Sequence, residues 1–351
     1  MRKFFKKKAV RVIFCVLAVW LAVVAVCNAW FASVALQEQK GVAVCDEWSP
    51  EDTYTPDYAQ NIDAGDGDFK ILCLTDIHIR NHGTFAAALG VNFILDGMSR
   101  IQLKQLIEEV QPGLILIGGD TVLTAWNDIC TQQFADFMDG FEIPWAPVFG
   151  NHDYEGRADK AKLAEIYESS EYCLFESGPA GMNGMGNYII NLTRDGKPVY
   201  SLFMFDDGQY RIVDGQITDG GIGENQIAWY KWVVDGIRAQ AGETVPSMAF
   251  MHVPLPEYKE ITDGYTQGMR GEDSYTAVNN DGFFTAFKEN GGTHVFAGHD
   301  HSNNFFAEYE GVQLCYFTKS SYNCYFSFDA LGGNVLTLDS NNQIQAEIKS
   351  F

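Results

Sequence analysis

FKILCLTDIH (69–78), GLILIGGD (113–120) and WAPVFGNHD (145–153) decide the fold, because each is a short apolar run of strand length that ends abruptly in a carboxylate, amide or imidazole. Two further runs, PSMAFMH (246–252) and THVFAGHDH (293–301), have the same form. Segments of helical period separate them, around 100–110, 127–139, 224–240 and 281–289, and alternation of this kind predicts βαβ units and parallel strands. Shorter β-like runs at 187–192 and 199–205, and a Tyr- and Phe-rich tail from 304 to 348, read as further strands, the tail antiparallel. The chain from 69 to 351 is therefore expected to be one α/β domain, and no internal repeat or low-complexity tract divides it.

Polar residues at the carboxyl ends of strands in such sheets line the ligand crevice. That rule gathers Asp76, His78, Asp120, Asn151, His152, His252, His299 and His301 into one place, although they are dispersed over 226 positions. Five of the seven histidines stand at the polar ends of these segments; His82 and His294 lie outside those positions. A single histidine is usually structural, but five coincidences of position are not. Asp76 and His78 are an i,i+2 pair that an extended backbone aims to one side. Gly118 and Gly119 before Asp120 allow a close backbone approach, and Gly150-Asn151-His152-Asp153 reads as a sharp turn. Imidazole, carboxylate and amide oxygen together suit iron, manganese or zinc. Two such ions, about 3.5–4 Å apart, clamp a phosphate and generate hydroxide near neutral pH.

In this order, DIH (76–78), GGD (118–120), GNHD (150–153), MH (251–252) and GHDH (298–301) resemble the calcineurin-like metallophosphoesterases, over residues 69 to about 303. The resemblance implies a two-sheet mixed β-sandwich flanked by helices, the metallo-dependent phosphatase fold. It implies that Asp76, His78 and His301 hold one metal, that Asn151, His252 and His299 hold the other, and that Asp120 bridges the two. It further implies that a metal-bound hydroxide attacks phosphorus, that His152 protonates the leaving group, and that Asp153 orients His152. HVPLPEY (252–258) and GHDHSNNF (298–305) are similar to the purple-acid-phosphatase-like branch. The tyrosine that colours those enzymes is replaced by Leu123, and His78 takes the ligand role.

Other polar groups near these motifs read more plainly. Arg80 and His82 are expected on an exposed loop with a possible view of a phosphate, Asn303 and Asn304 in the turn after His301, and Trp126, Trp145 and Tyr154 in core or rim packing. Walls that select a substrate are expected from 79–98, 154–186, 206–223 and 254–280, whose composition names none. A catalytically silent metal-binding surface protein with the same fold is the competing reading. It would tend to have lost His152 or part of the second ligand set, and both are present.

Before the domain, residues 1–11 carry basic side chains and no acidic ones, and 12–36 is an almost wholly apolar run. These predict a cytoplasmic basic segment and an N-terminal transmembrane helix acting as an uncleaved signal anchor, with the body outside; a cleaved signal peptide is the alternative. Residues 37–68, polar and acidic, are expected to be a stalk. Beyond residue 36 there are 18 basic residues against 46 acidic ones, so no basic stripe offers itself to nucleic acid. The expected partners are the membrane and a small-molecule or lipid-linked phosphoester; nothing indicates an oligomeric state. The cysteines lack CxxC spacing, which argues against a thiolate zinc cluster. Cys15 and Cys27 read as membrane residues, Cys73 as a buried thiol, and the even count allows disulfides in an exported body.

Overall fold

The computed structural model describes residues 2–35, 37–80, 91–208, 211–213, 216–218, 220–278 and 280–351. His82, and with it part of the expected 79–98 and 206–223 walls, lies outside the described residues. Two mixed sheets face each other. The smaller has β2 (Phe69–Leu74), β3 (Leu114–Ile117) and β4 (Trp145–Pro147) parallel to one another, with β13 (Gly332–Leu338) and β14 (Ile344–Ser350) added antiparallel, in the order β14-β13-β2-β3-β4. The larger comprises β1 (Gln60–Asp63), β5 (Tyr188–Arg194), β6 (Lys197–Met204), β9 (Ser247–Phe250), β10 (Gly292–Ala297), β11 (Phe306–Tyr309) and β12 (Val312–Tyr316), in the order β1-β5-β6-β9-β10-β12-β11. A separate hairpin joins β7 (Arg211–Val213) to β8 (Gln216–Thr218).

Burial explains why the quoted runs form strands. Leu114–Ile117, Trp145–Pro147 and Ser247–Phe250 are buried at every position, the continuous apolar pattern of strands covered on both faces. One core fills the space between the sheets, with Ile71, Cys73, Leu114 and Leu116 on the smaller sheet and Leu202, Phe250, Phe296 and Cys315 on the larger. A second core lies on the outer face of the larger sheet, where Phe203, Phe205 and Ala249 pack against α5 (Glu224–Ala241) and α6 (Phe283–Glu289). The smaller sheet is flanked by α2 (Val91–Val110) and α3 (Asn127–Asp139). In α3, Cys130, Phe134 and Met138 are buried at i, i+4 and i+8. The expected helices appear, the first longer by nine residues at its start, and α4 (Lys160–Glu168) emerges from a segment read as loop, capped by Asp159 accepting from the Lys162 N–H at 2.9 Å.

Two expectations differ from the structure before residue 69. The segment 37–68 is a strap laid on the domain, not a stalk. Gln39 exchanges backbone hydrogen bonds with Arg157 and Asp159, Ala180 N–H donates to Asp46, and β1 pairs in parallel with β5. Trp48, Tyr54 and Tyr58 all pack edge-on to Trp232, and Trp229 Nε1 donates to the Tyr58 hydroxyl at 2.7 Å. Upstream, α1 (Arg2–Ala35) is a long helix, but among the described residues no helix is long and apolar enough to cross a membrane. The described cysteines are free thiols.

The strap generates a prediction about stability. Each aromatic pair contributes about 0.5–1.5 kcal/mol, so a chain beginning at Phe69, which loses β1 and three rings on Trp232, should melt at least about 4 °C below one beginning at Gln37. Equal melting temperatures by circular dichroism would return 37–68 to the status of a free stalk.

Candidate metal centre

All five ligand-bearing loops leave strands at one edge of the sandwich: β2, β3 and β4 from one sheet, β9 and β10 from the other. The centre therefore sits where the two sheets abut, and it draws on both. Parallel strands make this possible, since β2, β3 and β4 run the same way and so do β9 and β10.

Asp76, His78, Asp120 and His299 all have left-handed backbones, with φ of 53°, 49°, 51° and 73°. For a residue with a Cβ this costs on the order of 1–2 kcal/mol each, and it persists because the surroundings impose it. Asp76 N–H donates to Gly119 O at 3.1 Å and His78 N–H to Asp120 O at 2.9 Å, tying the first two loops together. On the other side of Asp76, Lys319 Nζ and the Ser321 hydroxyl donate to its carbonyl at 2.7 and 3.0 Å. Gly150 is needed for contact, since a Cβ there would lie 2.1 Å from Asp120 Oδ1. Gly119, at φ +92°, makes room for the His252 ring; a Cβ would lie 2.6 Å from its Nδ1.

The donor atoms fall into two groups that meet at Asp120. In the first, His78 Nε2 and His301 Nε2 lie 3.0 Å apart, and Asp76 Oδ1 is 3.5 Å from the former and 3.2 Å from the latter. In the second, His299 Nδ1 lies 3.0 Å from Asn151 Oδ1, and the His252 and His299 rings are in edge contact. Asp120 Oδ2 is 3.7 Å from His78 Nε2 and 3.3 Å from His252 Nε2. Asp76 Oδ1, Asp120 Oδ2 and His252 Nε2 are buried without a hydrogen-bond partner, a condition that calls for an ion where polar groups converge. The ring orientations agree: His252 Nδ1–H donates to Gly118 O at 2.7 Å and His301 Nδ1–H to Tyr325 O at 2.8 Å, leaving each Nε2 directed inward as the atom that would meet a cation. The residues present fit a pair of cations.

Electrostatics follow from placing two carboxylates in a dry site. Burial pushes the His301 imidazolium down, but the Asp76 carboxylate beside it outweighs burial and lifts it to about 9. His252 is likewise raised, by Asp120 against burial. His78 and His299 have no such excess, and burial lowers them to about 3 and about 4. Lys319, buried, falls to about 8.

His152 stands at the mouth, its side chain 32% exposed, its ring centroid 5.7 Å from that of His78 and its N–H donating to Asp120 Oδ1 at 2.9 Å. The expectation that Asp153 orients it is corrected. Asp153 turns inward and accepts from the backbone N–H groups of Asp120, Val122 and Gly150, at 3.0, 3.0 and 2.7 Å, while Glu155 Oε2 meets His152 Nδ1 at 2.7 Å. In a tight turn the i+1 side chain leaves the opposite way and the i+3 side chain returns. Asp207 is a second brace that motifs do not reveal, accepting from His252 and Val253 N–H groups at 3.1 and 3.2 Å.

Around the centre lies a cavity of about 360 Å³ whose lining includes His152, Tyr275, Tyr325, Glu272 and Asp273. Asn303 Oδ1 accepts from the Gly271 and Glu272 N–H groups and Asn304 Oδ1 from Met269, so both shape the loop that carries this wall. Trp145 is core, Trp126 lies under the Arg157 guanidinium, and Tyr154 donates to Gly208 O. Arg80 is half-buried, with Asn92 donating to its carbonyl at 3.1 Å. Leu123 brings no oxygen donor. His294 stacks on Phe296 in β10.

Because the Asp76–His301 pair holds a proton up to about 9, metal uptake must expel it. Apparent metal affinity should rise with pH from below neutrality and level off near about 9, with proton release measurable by calorimetry in buffers of different ionisation enthalpy. Uptake indifferent to pH over that interval would contradict the pairing.

The calcineurin-like phosphoesterase family model matches residues 69–303. Similar proteins include the probable inactive purple acid phosphatase 14 of Arabidopsis thaliana, 28% identical over 292 residues that cover 74% of this chain and 72% of that protein. Probable inactive purple acid phosphatase 28 of the same plant is 27% identical over 289 residues, with the same coverage. Phosphatase DCR2 of Saccharomyces cerevisiae is 27% identical over 290 residues, 72% of this chain and 48% of that one. Among solved structures, a dimetal phosphatase from Danio rerio aligns with a TM-score of 0.48 at 12% identity, covering 80% of this chain and 99% of that one. With its family model spanning both sheets and every ligand-bearing loop, this chain belongs to the calcineurin-like phosphoesterases.

Proposed function

We propose that the chain is a dinuclear-metal-dependent hydrolase of phosphomonoesters or phosphodiesters. The observation that carries the reading is Asp120 Oδ2, buried, without a donor, and within 3.7 Å of one imidazole group and 3.3 Å of the other. Asp76, His78 and His301 would hold one ion, Asn151, His252 and His299 the other, with Asp120 shared. When bound, a pair of manganese, iron or zinc ions supplies charge neutralisation on phosphoryl oxygens and activation of water near neutral pH.

The chain's own contribution is position and a proton. Burial opposes the charged form of His152, but Asp120 and Glu155 outweigh it and raise the imidazolium above its ordinary range. The imidazolium form of His152 is thus favoured at the mouth of the cavity, where a leaving alkoxide would depart. Its backbone N–H on Asp120 Oδ1 places the residue beside the shared ligand, and Glu155 holds the ring. The phosphate would enter between this ring and the His299 and His301 side of the cavity, with Tyr275 and Tyr325 beside the rest of the substrate.

A second reading, a catalytically silent metal-binding protein, is favoured by the names of the Arabidopsis relatives. Hydrolysis of p-nitrophenyl phosphate and its bis-ester with added manganese separates the two: turnover of neither substrate by metal-loaded protein would establish the silent reading. For the enzyme, His152→Ala should lower kcat by about 10²–10⁴-fold with metal content unchanged. Activity should fall as pH rises through the raised pKa of His152, and Glu155→Gln, by removing one cause of that rise, should move this limb to lower pH.

The same reading places the domain on the extracytoplasmic side of a cell membrane, with a small-molecule or lipid-linked phosphoester as substrate and no nucleic-acid partner. Its support is the order of basic run, apolar 12–36 and acidic body. Full-length chain should sediment with membranes and resist carbonate extraction, or appear outside the cell lacking its first residues where the segment is cleaved; recovery of intact chain in the cytosol would overturn the placement.

A further inference from the structure

The loop 318–325 is fastened along its length to the backbone of the first ligand loop. Ser320 N–H donates to Thr75 O at 3.0 Å, Lys319 Nζ and Ser321 Oγ donate to Asp76 O, Asn323 Nδ2 donates to Ile77 O at 3.2 Å, and Tyr325 O receives the Nδ1 proton of His301. Between the last two anchors sits Cys324, half-buried and in a left-handed conformation, with φ of 60°. Its Sγ and one ring nitrogen from each of His78 and His301 all lie within 4.8 Å of one another. Nitrogen and sulfur atoms bound to one tetrahedral zinc ion, at about 2.1 and 2.3 Å from it, lie roughly 3.6 Å apart. The thiol is thus within an adjustment of about 1 Å of coordinating distance.

An independent observation shows that this space is built for a cation. Asp76, 1% exposed, directs Oδ1 into it, 3.2 Å from His301 Nε2, and that oxygen receives no hydrogen bond. The two Nε2 atoms face each other at 3.0 Å, and the inward direction of His301 Nε2 is fixed by the bond its Nδ1 makes to Tyr325.

We propose that Cys324 is an additional ligand, through its thiolate, of the metal ion held by Asp76, His78 and His301. This assignment rests on the dinuclear reading above. The S–H bond breaks and the S–metal bond forms, the proton passing to solvent, and no electron is exchanged. The second group, Asn151, His252 and His299, offers only nitrogen and oxygen, so the two ions meet unlike donor sets. A soft sulfur ligand selects zinc or iron over magnesium or manganese on its own side and leaves the other side open to the harder ions.

The test is titration of the metal-free full-length chain with cobalt(II), followed by absorption spectroscopy and by metal content. Wild type should take up two equivalents and develop a near-ultraviolet sulfur-to-cobalt charge-transfer band. Cys324→Ser should lose the band and bind one of the two ions at least about tenfold more weakly. Two bound cobalt ions in wild type without a charge-transfer band, or a band that survives in Cys324→Ser, would overturn the ligand assignment and leave the dinuclear reading intact. Failure of wild type to bind a second cobalt ion would instead remove the dinuclear reading, and this assignment with it. Because the band is a property of wild type, the outcome does not depend on the variant folding.

Discussion

Two carboxylates, Asp76 and Asp120, are buried side by side where the sheets meet, each about 1% exposed. Each has one oxygen without a hydrogen-bond donor. A dry site cannot carry that charge uncompensated. In the metal-free chain the compensation comes from protons, which is why His252 and His301 are raised while His78 and His299, with no further negative charge to answer, are lowered. Cations replace those protons without adding volume to the histidines. The centre is thus charged for metal by its acids, and the histidines set how many ligands each ion finds.

The same constraint reaches outward through the backbone. Four ligands sit in left-handed conformations, and no single contact holds them there. Asp120 is braced by the Asp153 carboxylate on its N–H, by the His152 N–H on Oδ1, and by the close approach of Gly150. Burial and the nearby Asp120 charge push Asp153 up to about 7 even though backbone donors hold it down. A brace of that kind favours rigidity over charge stability. His152 then inherits its place from Asp120, so the proton-bearing ring moves with the shared ligand rather than with the solvent-facing loop.

Much of this was legible in the sequence because strand ends are legible. FKILCLT, GLILIGG, WAPVFG, PSMAFM and THVFAG are too apolar and too short to be anything but buried strands, and whatever follows a buried parallel strand emerges at one edge. That logic needs no knowledge of which sheet a strand joins, and it survived the discovery that β2–β4 and β9–β10 lie in different sheets. What failed was inference from adjacency and from composition. Asp153 is next to His152 in sequence, yet the turn sends it to the backbone and brings Glu155 instead. Residues 37–68 read as a stalk because acids, Pro and Gly outnumber Trp48, Tyr54 and Tyr58, but three rings that find Trp232 outweigh a polar average.

The loop 318–325 marks where motif reading ends for a physical reason. Lys319, Ser321 and Asn323 act on Asp76 and Ile77 from more than 240 positions away, through main-chain carbonyls that any residue would present. A pattern defined by ligand side chains therefore carries no trace of them. The absence of CxxC spacing spoke only against thiolates that are neighbours in sequence; it had no bearing on one sulfur delivered by a distant loop. Lys319 shows why such a loop is worth its buried charge. Its ammonium, lowered to about 8 by burial and raised by Asp76, satisfies the carbonyl of a residue whose own backbone is strained. An apolar side chain of equal length would leave that carbonyl with the Ser321 hydroxyl alone, and the Asp76 carboxylate, on which the first group of ligands depends, would be less firmly placed.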